Sequence, residues 1–347
     1  MYDPSRKAQN KRDKYRIKMK IEDIVNLTNG VLQNEPIIKA IEGVSTFPSK
    51  IDQGDLFISS NQEEIEKAIA NGAYAILYDD TSVNISDSEV AWIKVESIYE
   101  AAFRIIRYVI LNREVTFRYL NSHEMSYLKM ITTQKSNITL LSNEWQKAFE
   151  QIVNANGRIY VGSNLEMMKT IKPDMKVLSK EVDGYMIGGT LFKSTFKVEK
   201  FIYQEKEFIP FHFDTLARVV AFCQEQELPY SIDRLKYTKH FTPIFINSDL
   251  SKTQPKNSDQ VIIFVDNLED IVEAREYIKH NGQWIKSIIL TPPNTKIKEV
   301  YDNPYWFKND QEAIEILKTT HFNYAFVYTL DKSILANIKK EYSLFDL

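Results

Sequence analysis

Residues 43–59 read GVSTFPSKIDQGDLFIS, and the last six of them, GDLFIS, predict a short buried strand behind a glycine turn. The strand runs directly into Ser60-Asn61-Gln62-Glu63, which has the form of a capping box. A helix follows with Ile65, Ala68 and Ile69 on one face and Asn71-Gly72 as its stop. AYAILYDD and VAWIKV predict two further strands, and IYEAAFRIIRYVILN a second helix. Upstream, MKIEDIVNLTNGVL gives a short strand and a helix with Ile24, Val25 and Leu27 inward, ended by Gly30. Residues 19–112 are thus expected to form a small α/β domain.

The alternation continues outward. VTFRYL, ITLLS, RIYVG and MKVLS predict strands, separated by the helical stretches SYLKMITTQ, NEWQKAFEQIV and NLEMMKTI, as in a mostly parallel sheet with crossover helices. YMIGGTLFKSTFKVEKFIYQEKEFIPF then changes to a period of two, as hairpin strands do, with Gly188-Gly189 expected as the turn. The helix DTLARVVAFCQEQ closes a second domain over 113–240. Beyond a polar loop, VIIFVD, LEDIVEAREYIKHNG, IKSIILT, DQEAIEILKTT and NYAFVYTL give β-α-β-α-β, half of a doubly wound fold, over 241–347.

Composition narrows the classes. The 347 residues are 44% hydrophobic and 26% charged, as in a soluble globular protein of more than one domain. No run is apolar enough for a membrane span, so the expected address is the cytoplasm. A single cysteine excludes an internal disulfide framework. Residues 1–18 are a basic extension, expected to be a solvated tail or to precede a start at Met19. With the next two residues they carry net +6, which leaves −9 for the rest of a chain whose total is −3. No nucleic-acid partner is expected from it. Glycine is scarce: ten residues, under half of the usual ~7%. A chain that wraps a nucleotide with its backbone amides spends glycine there, and this one has little to spend.

The opening stretch, with IEDIVNLTNGVL, IEGVST and KAIANGAYAILYDD, resembles the first domain of the Mur ligases, the ATP-dependent enzymes that extend peptidoglycan precursors. The type that adds D-Ala-D-Ala to the UDP-MurNAc tripeptide is most similar. IKPDMKVLS resembles that family's I-x-P-D-x-x-V-I-T, and FDTLARVVAFCQEQELPY its N-x-L-A-A helix. The match covers nearly the whole chain and weakens after residue 113, where the chain is also shorter than typical members. The resemblance implies an α/β, three-domain architecture: a small N-terminal domain for the UDP-sugar, a reduced P-loop-like middle domain and a Rossmann-like C-terminal domain.

The same resemblance exposes departures at each chemical station. The family's Asp-Ser-Arg triplet for the nucleotide is Phe47-Pro48-Ser49 here, leaving Ser45 and Thr46 as candidate substrate-binding residues, or as a plain turn. The family's T-G-S-x-G-K-T loop matches LNSHEMSYLK, which places Asn121 and Glu124 at glycine positions and Met125 at the lysine, with Ser122 and Ser126 persisting. Asn121 and Glu124 read as a helix cap, so a carboxylate sits where a phosphate would use the helix dipole. Lys129 is the nearest replacement cation. The family's metal-binding Glu matches Tyr160, and Ser163-x-x-Glu166 reads as another capping box. The Asn that contacts adenine matches Asp214, and a small Ala matches Arg218. Asp266 and Asn267 are what remains of D-D-x-Y-N-A-N-P, and VYTLDKS replaces a Lys-Gly-Ser stretch. The segment implied to supply a metal-binding His and a carbamylated Lys is missing.

Substitute chemistry is not evident in the sequence. His123, His212, His240, His280 and His321 lack metal-ligand spacing, so no metal is expected. Cys223 reads as a packed thiol, and Asp79-Asp80 as a solvated strand exit rather than a cation site. NPYWFKND, residues 303–310, is either a recognition surface or a loop folded on the core. The expectation is a catalytically degenerate homologue without cofactor, a binding or scaffold protein with partners in peptidoglycan synthesis or cell division. The alternatives are a divergent ATP- and Mg²⁺-dependent amide ligase and a non-catalytic sensor of UDP-MurNAc-peptide precursors.

Overall fold

The computed structural model describes residues 17–111, 113–133, 138–155, 157–295 and 304–336. The basic extension expected over 1–18 lies outside them except for its last two residues. The chain forms two compact units, Met1–Asn121 with Lys135–Leu178, and Ser122–Gln134 with Ser179–Leu347. The middle of the three expected segments is therefore shared between the two.

In chain order the first unit contains β1 (Met19–Lys20), α1 (Ile21–Thr28), β2 (Val31–Leu32), β3 (Ala40–Ile41), β4 (Gly43–Ser45), β5 (Asp55–Ile58), α2 (Gln62–Ala70), β6 (Ala75–Tyr78), β7 (Ala91–Lys94), α3 (Ile98–Leu111) and β8 (Thr116–Tyr119). The helix α4 (Ser122–Ile131) belongs to the second unit. The first then resumes with β9 (Ile138–Leu140), α5 (Trp145–Val153), β10 (Ile159–Gly162), α6 (Leu165–Ile171) and β11 (Lys176–Val177).

Its larger sheet has the order β2-β7-β6-β5-β4, parallel except for β2. The strands are apolar throughout because both faces are covered. Leu56, Ile58, Ala75, Leu77 and Ile93 pack into one cluster; Phe57, Ile76, Tyr78 and Trp92 pack into another. The glycines of the opening stretch hold the sheet together at close quarters. A Cβ on Gly43 would meet the Asp55 carboxylate at 2.5 Å, and Gly54 has φ +96°. A second sheet, β11-β8-β10-β9, is wholly parallel.

Two caps lie one residue later than the sequence pattern predicts. Asn61, not Ser60, caps α2 by accepting from the Glu64 N–H, and Asn164, not Ser163, caps α6 by accepting from the Met167 N–H. Ser60 instead donates to Asp79, whose other carboxylate oxygen accepts the Ile98 N–H at the start of α3. Asp79 is thus half-buried and bound within the fold, while Asp80 is exposed at the strand exit.

The second unit continues with β12 (Gly184–Gly189), β13 (Ser194–Val198), β14 (Phe201–Lys206), α7 (Phe213–Glu225), β15 (Phe241–Ile246), β16 (Gln260–Val265), α8 (Leu268–Asn281), β17 (Ser287–Thr291), β18 (Tyr305–Trp306), α9 (Asp310–Thr319) and β19 (Tyr324–Tyr328). β12, β13 and β14 form an antiparallel meander. Gly188 and Gly189 are strand residues there, and the turn falls at 190–193 with the Thr190 N–H bonded to the Lys193 carbonyl. The ladder is irregular between Met186 and Gly188, and Gly189 takes φ +141°, so the glycines serve a bulged strand end. The last sheet runs β15-β16-β19-β17-β18, parallel except for β15. Ile262 and Phe264 of β16 face one apolar cluster, while Val261, Ile263 and Val265 face another, as a doubly wound sheet requires. Among the described residues no helix is long and apolar enough to cross a membrane.

Candidate functional site

The helix α4 starts at the degenerate P-loop-like stretch, and its buried face, Met125, Tyr127, Leu128 and Ile131, packs in the second unit beside α7. Met125 is a core residue. Lys129 is exposed, as is Ser122 at the helix start, and Asn121 is half-buried. Glu124 is only 5% exposed. Its carboxylate accepts from the Arg218 Nε at 3.0 Å, and Arg218 also reaches Thr215 and Glu181. The two residues that depart from the family pattern at a glycine and at a small alanine are therefore each other's ion-pair partner. Asp214, at the adenine-contact position, is exposed in the first turn of α7.

Next to this pair the structure corrects the sequence reading of the histidines. Three of the five converge, with the His123 ring 4.6 Å from that of His212 and 4.9 Å from that of His240. His212 sits on the 3₁₀ turn before α7, Nδ1 2.9 Å from the Tyr127 hydroxyl and Nε2 3.2 Å from Asp270 Oδ1. His123 Nε2 lies 3.3 Å from Asp270 Oδ2. His240 spans Asp266, 2.7 Å from Nδ1, and the Ser126 hydroxyl, 2.9 Å from Nε2. Burial pushes the Asp270 carboxyl up, but the two imidazoles outweigh it and hold the group below its ordinary value. Burial also pulls His123 down, and the charges of Asp270, Asp266 and Glu273 raise it overall. Burial keeps Tyr127 a neutral phenol. Asp266 is thus engaged by His240, and Asn267 caps α8 by accepting the Glu269 N–H.

In the first unit, Ser45 and Thr46 are turned to one internal carboxylate. Glu150 of α5, 6% exposed, accepts from the Ser45 hydroxyl at 2.7 Å and from the Thr46 N–H at 2.8 Å. Asn154 donates to its second oxygen at 3.0 Å, and Lys50 approaches at 3.4 Å. Tyr160, at the metal-ligand position, is fully buried and stacks on Phe117 at 5.0 Å.

A cavity of about 290 Å³ opens at the carboxyl ends of β16 and β19, lined by Lys239, Thr242, Asp266, Thr329, Asp331 and Lys332 among others. Ligands of parallel α/β sheets bind at such strand ends. The stretch replacing Lys-Gly-Ser contributes Thr329, Asp331 and Lys332 to it. Of the aromatic segment, Phe307 joins the core, while Tyr305 and Trp306 are 40% and 48% exposed on an edge strand. Cys223 is buried, its thiol pushed up to about 12 by burial.

Neither a family model nor a curated protein matches the sequence. Solved structures do match. The MurF ligase from Thermotoga maritima, in complex with ADP, superposes with a TM-score of 0.53 at 12% identity over 87% of this chain and 96% of its own. MurF from Acinetobacter baumannii gives 0.53 at 11% identity over 94% and 100%. A second structure from that organism, of UDP-N-acetylmuramoylalanyl-D-glutamyl-2,6-diaminopimelate–D-alanyl-D-alanyl ligase, gives 0.51 at 12%. The chain has the Mur ligase fold, a mixed α/β architecture of several sheet-bearing parts.

Proposed function

We propose that this chain has kept the Mur ligase fold while giving up ATP-driven ligation, and that it works by binding, as a cytoplasmic scaffold linked to peptidoglycan synthesis or cell division. The Glu124–Arg218 pair carries this reading. The Thermotoga maritima ligase holds ADP. The positions that would cradle the same phosphates here carry a buried carboxylate at a helix start, which repels phosphate and already has its counter-ion. The hydroxyls retained at Ser45 and Thr46 are bound to Glu150 in the same self-satisfying way. No nucleotide cofactor is proposed; ATP and Mg²⁺ belong to the ligase alternative alone. The outer face of the β12–β14 meander offers contact area instead. Tyr185, Ile187 and Ile202 are 55%, 49% and 58% exposed, and Tyr185 and Ile202 both flank Lys197 in register.

The cavity at the carboxyl ends of β16 and β19, lined by Lys239 and Lys332 together with Asp266 and Asp331, leaves room for a second reading, a sensor that binds a precursor without turning it over. The test is phosphate release from Mg-ATP with UDP-MurNAc tripeptide and D-Ala-D-Ala. Release at the buffer rate is expected; release that depends on the dipeptide overturns the proposal. A melting shift with the UDP-peptide alone selects the sensor.

A further inference from the structure

We infer that His123, His212 and Asp270 form a binding site for one borderline divalent metal ion of the zinc type. Their donor atoms all lie within 4.8 Å of one another, drawn from three separate segments: the first turn of α4, the 3₁₀ turn before α7 and the first turn of α8.

The spacing suits a metal. With bonds of roughly 2.0–2.1 Å, two ligands on a tetrahedral ion stand about 3.3 Å apart. The observed separations are 3.2 Å from His212 Nε2 to Asp270 Oδ1 and 3.3 Å from His123 Nε2 to Asp270 Oδ2. The two imidazoles face different oxygens of the carboxylate, so binding one ion requires the partly exposed His123 ring to draw in toward His212.

The polar atoms are also left wanting a partner. His123 Nε2 and Asp270 Oδ2, both buried, meet only in a 3.3 Å ion pair that lacks hydrogen-bond geometry, and the buried His123 Nδ1 makes no hydrogen bond. Buried polar atoms with poor hydrogen-bond geometry are costly, and an ion between the His123 and His212 Nε2 atoms and the carboxylate would satisfy those three together. The outer contacts match what metal-binding imidazoles need. His212 can give its Nδ1 proton to the Tyr127 oxygen, which fixes the tautomer and leaves the Nε2 lone pair facing Asp270. His240 stays outside the set because Ser126 and Asp266 hold its two nitrogens. It forms one wall, and a water supplies the fourth ligand.

Two imidazoles and one carboxylate select zinc or its neighbours over Mg²⁺, which prefers oxygen ligands. His123, 13% exposed at its side chain, gives the ion a way in. The bound ion would tie together the starts of α4 and α8.

The test uses tag-free full-length protein stripped with chelator, then titrated with ZnSO₄ by calorimetry and melted with and without the metal. One Zn²⁺ per chain is expected, with a rise in Tm, and Co²⁺ in its place should give the visible absorption bands of a tetrahedral site. His123→Ala and Asp270→Asn should each weaken binding about tenfold or more, while His280→Ala on the surface of α8 leaves it unchanged. If metal-free Asp270→Asn does not fold, His123→Gln carries the test from a partly exposed position. No stoichiometric uptake by the wild type, or equal uptake by the His123 and Asp270 variants, overturns the inference and leaves a hydrogen-bonded His-Asp-His core. A Tm rise with Mg²⁺ but not with Zn²⁺ overturns it as well.

Discussion

At the scale of residues, the positions singled out in the sequence are each bound to a partner inside the fold: Glu124 to Arg218, and Ser45 and Thr46 to Glu150. Glu124 and Arg218 should behave as a coupled pair. Glu124→Ala is expected to cost about 1–3 kcal/mol, because it leaves a part-buried guanidinium with only the more exposed Glu181 at 3.4 Å. Arg218→Ala should cost a similar amount, and the double variant less than the sum, with a coupling of roughly 1–2 kcal/mol by urea unfolding. Strict additivity would mean that the pair is only a surface contact. Glu150→Ala is expected to cost about 2–4 kcal/mol, since the Ser45 hydroxyl and the Thr46 N–H lose their acceptor inside the fold. Glu150→Gln keeps an acceptor for Ser45 and Thr46 but sets an amide NH₂ against the Asn154 and Lys50 donors, so it should recover only part of that loss. The sequence named both members of the first pair without linking them, and only the hydroxyl side of the second. Glu124 and Arg218 stood out as departures and Ser45 and Thr46 as survivors, but partners 94 and 105 positions away leave no local trace. The histidine cluster was hidden for the same reason: spacing rules find ligands on one helix or loop, and these come from three segments.

At the scale of elements, strands and helices were legible because their apolar runs and stop signals are local. The opening stretch placed β5, α2 and β6 correctly, and the C-terminal alternation placed β16, α8, β17, α9 and β19. Two kinds of detail escaped. Caps slipped by one residue, since Ser60-Asn61 and Ser163-Asn164 each offer two adjacent capping side chains and only the backbone geometry selects one. Gly188-Gly189 looked like a turn because paired glycines usually are one, whereas Thr190 supplies the bond that closes the turn. Cys223 in α7 provides a check at this scale. Its thiol is held at about 12 against 9.0 for a free one, so native protein should resist maleimide at pH 8 and label fully in denaturant. The sign for stability follows. The folded thiol stays protonated after the unfolded one ionises, so its contribution is whole below pH 9.0 and fades as pH climbs toward 12. Fast labelling without denaturant would show that α7 opens readily.

At the scale of the whole molecule, the chain shares the fold of its structural neighbours at 11–12% identity, and the proposal is that it does so without their working residues. That is physically reasonable, because sheets and helix stops depend on apolar burial and a few strained glycines, while ligand sites depend on a handful of polar groups that packing does not need. The fold was legible in the opening stretch because Gly43, Gly54 and the apolar run serve packing. The function is not contained in the fold and must be measured. The most direct measurement is the melting temperature of the full chain with and without saturating Mg-ATP. A nucleotide present at 100 times its Kd would add about 2.7 kcal/mol, a shift that is easily seen. No shift is expected, because Glu124 and Arg218 already occupy the phosphate end of α4. A rise in Tm with Mg-ATP that magnesium alone does not produce would contradict the loss of the nucleotide site, and with it the scaffold reading.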